Sequence, residues 1–195
     1  MTSTGMSRGL DLLRGGDFPF YTLTFVRDLP PAELLARMGV DPETLALRDA
    51  VDLSDDLGDD LFDDEEPVVT SGIDGAWTWA WEQGGMHGLD EGILSRVSAG
   101  TEAVVLHHNE KPMHWFTYAV GGEVVVGFHT LQAIEPTGQD PARLDDAMRP
   151  LGLVPGEVAP LHSVLALAEN AFGIRLRQPD DADERWSGRL LPLPD

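Results

Sequence analysis

The densest group of ionisable side chains in the sequence is a run of carboxylates. Residues 52–66 read DLSDDLGDDLFDDEE, with nine carboxylates in fifteen positions and no basic residue between them. Carboxylates grouped in this way attract a basic protein, speed its encounter, or imitate the phosphates of nucleic acid in the cleft of a nuclease. The run therefore predicts a partner-binding surface or, as the alternative, a loop that only maintains solubility. The candidate partner-binding residues are Asp55, Asp56, Asp59, Asp60, Asp63, Asp64, Glu65 and Glu66.

Histidines form the second group that could do chemistry. In a hairpin with a two-residue turn at Gly121-Gly122, His114 falls opposite His129. A four-residue loop before that hairpin brings His107 beside His114. Side chains in such a row have Cβ atoms about 5 Å apart, so three neutral imidazoles could converge on zinc. The alternative is a solvated or partly packed polar rim.

Motifs for other chemistries are missing from the sequence. It contains no cysteine, which excludes disulfides, thiolate zinc sites and cysteine nucleophiles. It also lacks a Gly-x-Ser-x-Gly elbow, a phosphate-binding loop, a Gly-x-Gly-x-x-Gly turn, a His-Glu-x-x-His pair and an EF-hand loop. Glu91, Glu102 and Glu123 could each serve as a general acid or base, but nothing distinguishes them. We therefore favour a non-enzymatic protein over an enzyme.

Charge and length limit the class of protein further. The 195 residues carry 34 acidic and 13 basic side chains, a formal net charge of -21. This charge disfavours nucleic acid and anionic membranes as partners and favours basic ones, although an acid-rich composition is also ordinary for some bacterial proteins. No signal-length apolar segment begins the chain and no run of 18 apolar residues occurs, so we expect a cytoplasmic protein.

The elements that must position these residues follow from local patterns. The segment 75–83, GAWTWAWEQ, repeats tryptophan at every second position, which predicts a strand whose indoles face the core rather than a binding platform. Further strands are predicted at 20–26, 102–107, 113–120 and 123–129, and helices at 28–39, from 41 onward, at 90–98, 140–151 and 160–172.

This order of elements predicts an α+β fold. We expect an antiparallel sheet of about five strands, including a three-stranded meander, with helices packed on one face. The expected organisation is a flexible N-terminus at 1–17 with a short helix at 10–14, one domain at 18–177 with an exposed, mobile acidic loop at 52–66, and a polar tail at 178–195.

Several short motifs occur in a fixed order: YTLTFVR at 21–27 followed by the PAELL helix, LSRVSAGT at 94–101, the meander, GQDP at 138–141 with Leu144 and Met148, and ALAE at 166–169 with Gly173. In this order they resemble an uncharacterised actinobacterial family common in streptomycetes, the domain of unknown function 6461. The resemblance covers most of residues 17–177 and implies a single domain without an established activity. The acidic run and the meander histidines depart from the pattern of the family.

Two functional hypotheses follow. The first is a non-enzymatic interaction protein, an immunity- or antitoxin-like inhibitor that binds a basic protein such as a toxin through its acidic surface, without a cofactor. The second is a small-molecule or metal-binding domain, with or without enzymatic activity, built around zinc at His107, His114 and His129.

Overall fold

Runs of β-branched and aromatic residues fold into one antiparallel sheet. The computed structural model describes residues 9–14, 18, 20–58, 67–82, 84–109, 111, 113–160, 162–177 and 180–193. The strands are β1 (Tyr21–Arg27), β2 (Ala46–Arg48), β3 (Val68–Asp74), β4 (Trp77–Glu82), β5 (Glu102–Asn109), β6 (Met113–Val120), β7 (Glu123–His129) and β8 (Arg185–Arg189). The helices are α1 (Pro31–Met38), α2 (Ala50–Leu57), α3 (Glu91–Ser98), α4 (Asp145–Met148) and α5 (Ser163–Phe172), with 3₁₀ helices at Asp11–Arg14, His87–Leu89 and Arg149–Leu151.

The sheet has eight strands, in the order β2-β8-β3-β4-β1-β5-β6-β7, rather than the predicted five or so. Strand β8 lies inside the segment predicted to be a polar tail, yet it is hydrogen-bonded to β2 and β3 on its two sides. Its sequence, RWSGR, shows no apolar alternation, because the two buried positions hold the small residues Ser187 and Gly188. A Cβ atom added to Gly188 would lie 2.5 Å from Val40 Cγ1.

Helices cover both faces of the sheet, which corrects the prediction of one covered face. On the first face, α1 and α3 bury their apolar side chains against the strands, including Leu34 of α1 and Ile93 of α3. On the second face, α4, α5 and the N-terminal 3₁₀ helix do the same, including Leu165 of α5 and Leu13. Leu10 and Leu13 therefore contribute to the core, and the predicted short helix at 10–14 is present as a 3₁₀ helix at Asp11–Arg14.

The tryptophans of β4 lie in the core of the second face, as predicted. Trp77 and Trp79 are 3% and 5% exposed, and Trp81 is half-buried against Phe18. The alternate residues of β4, Thr78, Ala80 and Glu82, are also buried, because α1 and the segment at 87–89 pack against that side of the strand. Glu82 lies in this second buried layer, where its carboxylate needs hydrogen-bond partners from the protein.

Part of the predicted acidic loop is a helix. Asp49 caps α2 by accepting hydrogen bonds from the N–H groups of Val51 and Asp52, and Leu57 is buried at its end. The cap and the buried leucine stabilise the helix in spite of its crowded carboxylates. Residues 59–66 of the predicted loop lie outside the described residues. Among the described helices, none has the length and apolarity needed to cross a bilayer.

Candidate functional site

Strand register separates the three histidines that were predicted to share a zinc site. The β6–β7 hairpin begins as expected with Val120 opposite Glu123, but a bulge at Tyr118 and Ala119 shifts the pairing by one residue. His129 consequently lies opposite Trp115 rather than His114. A one-residue shift moves a side chain to the other face of a sheet.

The β5–β6 register differs by one residue as well. His114 pairs with His108, and His107 pairs with Trp115. His107 and His129 therefore lie on the α1/α3 face on either side of Trp115, while His114 lies on the α5 face. In the described part of the chain, no group of three His, Cys, Asp or Glu side chains is placed to hold a metal ion. The zinc hypothesis stays a prediction, but His107, His114 and His129 do not lie in the single row on which it was based.

A different row of polar side chains crosses the α1/α3 face of the sheet. The pairings of β1 with β4 and β5 place Glu82, Thr22 and His107 side by side, followed by Trp115 and His129. The first three are 0%, 0% and 1% exposed. Buried polar groups are costly unless they are hydrogen-bonded, so their partners decide what this row can do.

Both oxygens of Glu82 have partners. They accept the backbone N–H groups of His87 at 2.7 Å and Gly88 at 2.8 Å, and so hold the start of the 3₁₀ helix at 87–89. Burial raises the pKa of Glu82 to about 7, with these two hydrogen bonds opposing the rise. His87 Nδ1 lies 3.7 Å from the carboxylate, and His87 Nε2 donates to the carbonyl of Leu191 at 3.1 Å, since that oxygen can only accept. Glu82 therefore joins β4, the turn and the C-terminal segment.

Thr22 fixes the tautomer of His107. The Thr22 hydroxyl donates to the carbonyl of Gly85 at 2.7 Å, so it accepts a hydrogen bond from His107 Nδ1 at 3.0 Å. His107 Nε2 then carries the lone pair, and it has no hydrogen-bond partner among the described residues. Burial, followed by the proximity of His108, lowers the pKa of His107 to about 4. The imidazole is therefore neutral at physiological pH.

A second polar group lies on the α5 face, formed by Tyr21, His108, His114 and His162, which we call the histidine cluster. The rings of His108 and His114 stack with centroids 4.5 Å apart, and His162 contacts His114 at 6.4 Å. Tyr21 flanks His108 at 5.5 Å. Burial, followed by the neighbouring histidines, lowers the pKa of His114 to about 4. The cluster is thus a neutral, aromatic group in contact with the start of α5.

Two carboxylates of the predicted partner-binding surface lie at the β2 edge of the sheet. Asp55 and Asp56 are exposed on α2, and the six other candidate residues, at 59–66, lie outside the described residues. The structure adds a second acidic segment, because the carbonyl of Asp181 accepts the N–H of Ala50 at 3.1 Å. We call this combined surface the acidic edge; its carboxylates are Asp49, Asp52, Asp55, Asp56, Asp180, Asp181, Asp183 and Glu184.

Arginines neutralise only part of the acidic edge. Arg48 is 9% exposed. Its guanidinium donates hydrogen bonds to Asp56 at 2.8 Å and to Thr44 and Ser187, so it is not available to a partner. Arg177 pairs with Asp183 at 3.0 Å. The remaining exposed carboxylates give the edge an excess of negative charge.

Comparison with known proteins identifies the family. The chain belongs to a family of unknown function, DUF6461, whose pattern matches residues 13–179. No curated protein and no solved structure matches the chain. The matched range includes Glu82 and the histidine cluster and stops before β8.

Sequence reasoning missed Glu82 and His162. Glu82 alternates with Thr78 and Ala80, a pattern that indicates a solvated side, and the glycines around it at 84–88 were the only local signal. His162 precedes α5 at a position where Ser, Thr, Asp or Asn is usual. An unusual residue at a helix cap was the signal that could have drawn attention to it.

Proposed function

We propose that the protein is a non-enzymatic inhibitor of the immunity or antitoxin kind that binds a basic protein through the acidic edge. The observation that supports it best is the convergence of two acidic segments distant in sequence, α2 and residues 180–184, at one end of the sheet. Local convergence of like charge raises the encounter rate with an oppositely charged protein and fixes its orientation.

The acidic edge also offers apolar contact area. Leu47 on β2 is 48% exposed and Val51 on α2 is 64% exposed. Apolar side chains within a charged rim supply the desolvated centre that protein interfaces need, while the surrounding charges supply specificity. Among the described strands, β2 is also the last strand of the sheet on this side, so its outer backbone groups pair with no other described strand and could pair with a partner.

Four carboxylates of the acidic edge are suited to a test because their side chains make no hydrogen bond or ion pair within the described residues. The variant replaces Asp52, Asp55 and Asp181 by Asn and Glu184 by Gln. A partner captured from the native host on the wild-type chain is purified, and its dissociation constant is measured for each variant by titration calorimetry. We expect Kd to rise by about tenfold or more and its salt dependence to decrease.

The matched control removes four exposed carboxylates elsewhere: Glu91, Glu135 and Glu157 are replaced by Gln and Asp140 by Asn. This variant has the same net charge as the test variant. We expect its Kd to change less than about threefold, because rim charges far from an interface act only through the screened long-range field. Equal loss in the two variants would show that net charge, and not the acidic edge, governs binding, and would refute the proposed interface.

A further inference from the structure

The histidine cluster contains three buried polar atoms without a hydrogen-bond partner among the described residues. They are the Tyr21 hydroxyl, His114 Nε2 and His162 Nδ1. Tyr21 is 0% exposed and His114 is 6% exposed. Leaving such a group unpaired costs about 1–3 kcal/mol, so a ligand that forms hydrogen bonds with these atoms would recover this free energy.

The start of α5, next to His114, adds backbone donors: the N–H of Ser163 donates to the carbonyl of Pro160 at 3.2 Å, so the open donors are the N–H groups that follow it in the first turn. Helix α5 has ten residues, and its cap residue, His162, makes no side-chain capping hydrogen bond. Its first turn has no acidic residue, and the hydroxyl of Ser163 donates to the carbonyl of Pro160 instead of capping. The first N–H groups of a helix carry a partial positive charge that favours an anion.

The backbone at His162 is strained in a way that supports a functional role. Its φ angle is 62°, in the left-handed region that favours glycine. Asp28 is the other non-glycine residue in this region within the described part of the chain, and it lies in an exposed turn where aspartate is common. A strained backbone at a histidine next to polar atoms without partners is consistent with a role for its imidazole in binding.

The chemistry of the cluster favours an anion over a metal ion. Burial raises the pKa of Tyr21 well above its ordinary value, so its hydroxyl stays protonated and can donate. The rings of His114 and His162 have no partner that fixes their tautomers, so each can present an N–H. A cation would face the positive end of α5. We propose that Tyr21, His114, His162 and the N-terminus of α5 bind the oxyanion of a small ligand, a phosphoryl or carboxylate group.

Charged groups near the cluster allow such a ligand. Arg14 is close enough to oppose the rise in the pKa of Tyr21, and it pairs with Glu169 of α5 at 2.7 Å. His107 and His108 are the other titratable neighbours that affect the pKa of His114. The net charge of -21 opposes anions at long range, but it is screened beyond about 8 Å at physiological ionic strength.

Proton uptake gives the site a distinctive signature. Burial lowers the pKa values of His108 and His114. A bound anion stabilises a protonated imidazole, so binding takes up protons and the affinity rises as pH falls. We expect the affinity to be several-fold higher at pH 6.0 than at pH 7.5.

Inorganic phosphate and acetate are the probes, titrated into the full chain by calorimetry at constant ionic strength. The key variant is Tyr21→Phe, which keeps the ring and removes only an unpartnered hydroxyl. We expect it to lose about five- to tenfold in affinity, the effect of one hydrogen bond. His87→Phe is the matched control, since it removes a buried imidazole on the opposite face that does not affect the pKa of His114, and it should bind the probes as the wild type does.

The two probes and the variants give decisive outcomes. Tighter binding of phosphate indicates a phosphorylated ligand, and tighter binding of acetate a carboxylate ligand. Equal affinity of the wild type and Tyr21→Phe would mean an adventitious ion only and would overturn the proposal. So would the absence of saturable binding of either probe at pH 6.0. These results are independent of the acidic edge, whose variants keep the histidine cluster intact.

Discussion

Buried polar side chains lie on both faces of the sheet, and the Glu82 carboxylate on one face differs from the histidine cluster on the other in how its hydrogen bonds are satisfied, although His107 Nε2 on the Glu82 face also lacks a partner among the described residues. On the α1/α3 face, both oxygens of Glu82 accept backbone N–H groups from the 87–89 turn. On the α5 face, Tyr21, His114 and His162 each keep an atom without a partner among the described residues. A buried group whose hydrogen bonds are all made stabilises the fold, whereas an unpaired one costs free energy that a ligand could recover by hydrogen-bonding to it. The comparison therefore predicts opposite consequences when each group is removed.

Removal of the Glu82 carboxylate should have the largest effect. Glu82→Ala leaves the N–H groups of His87 and Gly88 without acceptors in a buried layer, and each costs about 1–3 kcal/mol. We expect the free energy of unfolding to fall by about 3 kcal/mol or more, measured by urea denaturation. Tyr21→Phe should not lower the free energy of unfolding and should raise it by up to about 1–3 kcal/mol, because it removes a buried hydroxyl that has no partner among the described residues. Similar losses in the two variants would remove the distinction between the groups.

Close packing around Glu82 gives a second, smaller effect. A Cβ atom at Gly88 would lie 2.4 Å from Thr24 Oγ1 and 3.1 Å from Glu82 Oε1. Gly88→Ala should therefore lower the free energy of unfolding by about 2 kcal/mol through overpacking. Adding Thr24→Ala removes the nearest atom and should restore part of the loss. A double variant no more stable than Gly88→Ala would show that the clash lies elsewhere.

Titration should distinguish the two groups by sign. The folded-state pKa of His114, about 4, is below its ordinary 6.5, so the folded state binds fewer protons and stability rises with pH between those values. The folded-state pKa of Glu82, about 7, is above its ordinary 4.5, so stability falls as pH rises between those values.

The corresponding variants should change the pH profile in opposite directions. Between pH 4.5 and 6.5, His114→Phe should make the rise in the free energy of unfolding shallower, and Glu82→Gln should make it steeper. Each change is at most about 1.4 kcal/mol per pH unit. Denaturation series at several pH values measure the slopes. Slopes that shift in the same direction would contradict the assignment.

The smallest expected effect is a gain. His162→Gly relieves the left-handed backbone and should raise the free energy of unfolding by at most about 1 kcal/mol, because glycine regains some entropy in the unfolded chain. The same variant should lose phosphate binding. Asp28→Gly, at the other non-glycine residue of positive φ, is the control and should leave phosphate binding unchanged. A loss of stability in His162→Gly would indicate that the imidazole supports the fold.

Period-two and helix-cap patterns predicted five strands, the meander and the tryptophan core, because those elements bury an alternating apolar face. Strand β8 could not be predicted in this way, since its buried positions hold serine and glycine. The histidine pairing failed in two places: the Tyr118–Ala119 bulge shifts the β6–β7 pairing by one residue, and the β5–β6 hairpin pairs His114 with His108 instead of His107. Glu82 was missed because burial of both sides of β4 depends on distant helices.

The place of β8 in the sheet has a consequence for how the protein is made. Among the described strands, β2, at residues 46–48, pairs with β8 alone, at residues 185–189, and the N–H of Ala50 at the start of α2 donates to the carbonyl of Asp181. On the ribosome, the inner strands can associate before β8, the partner of β2, has been translated. The acidic edge is therefore completed last, when more than a hundred further residues have been translated. Nascent chains lacking β8 would carry the carboxylates without the surface that organises them.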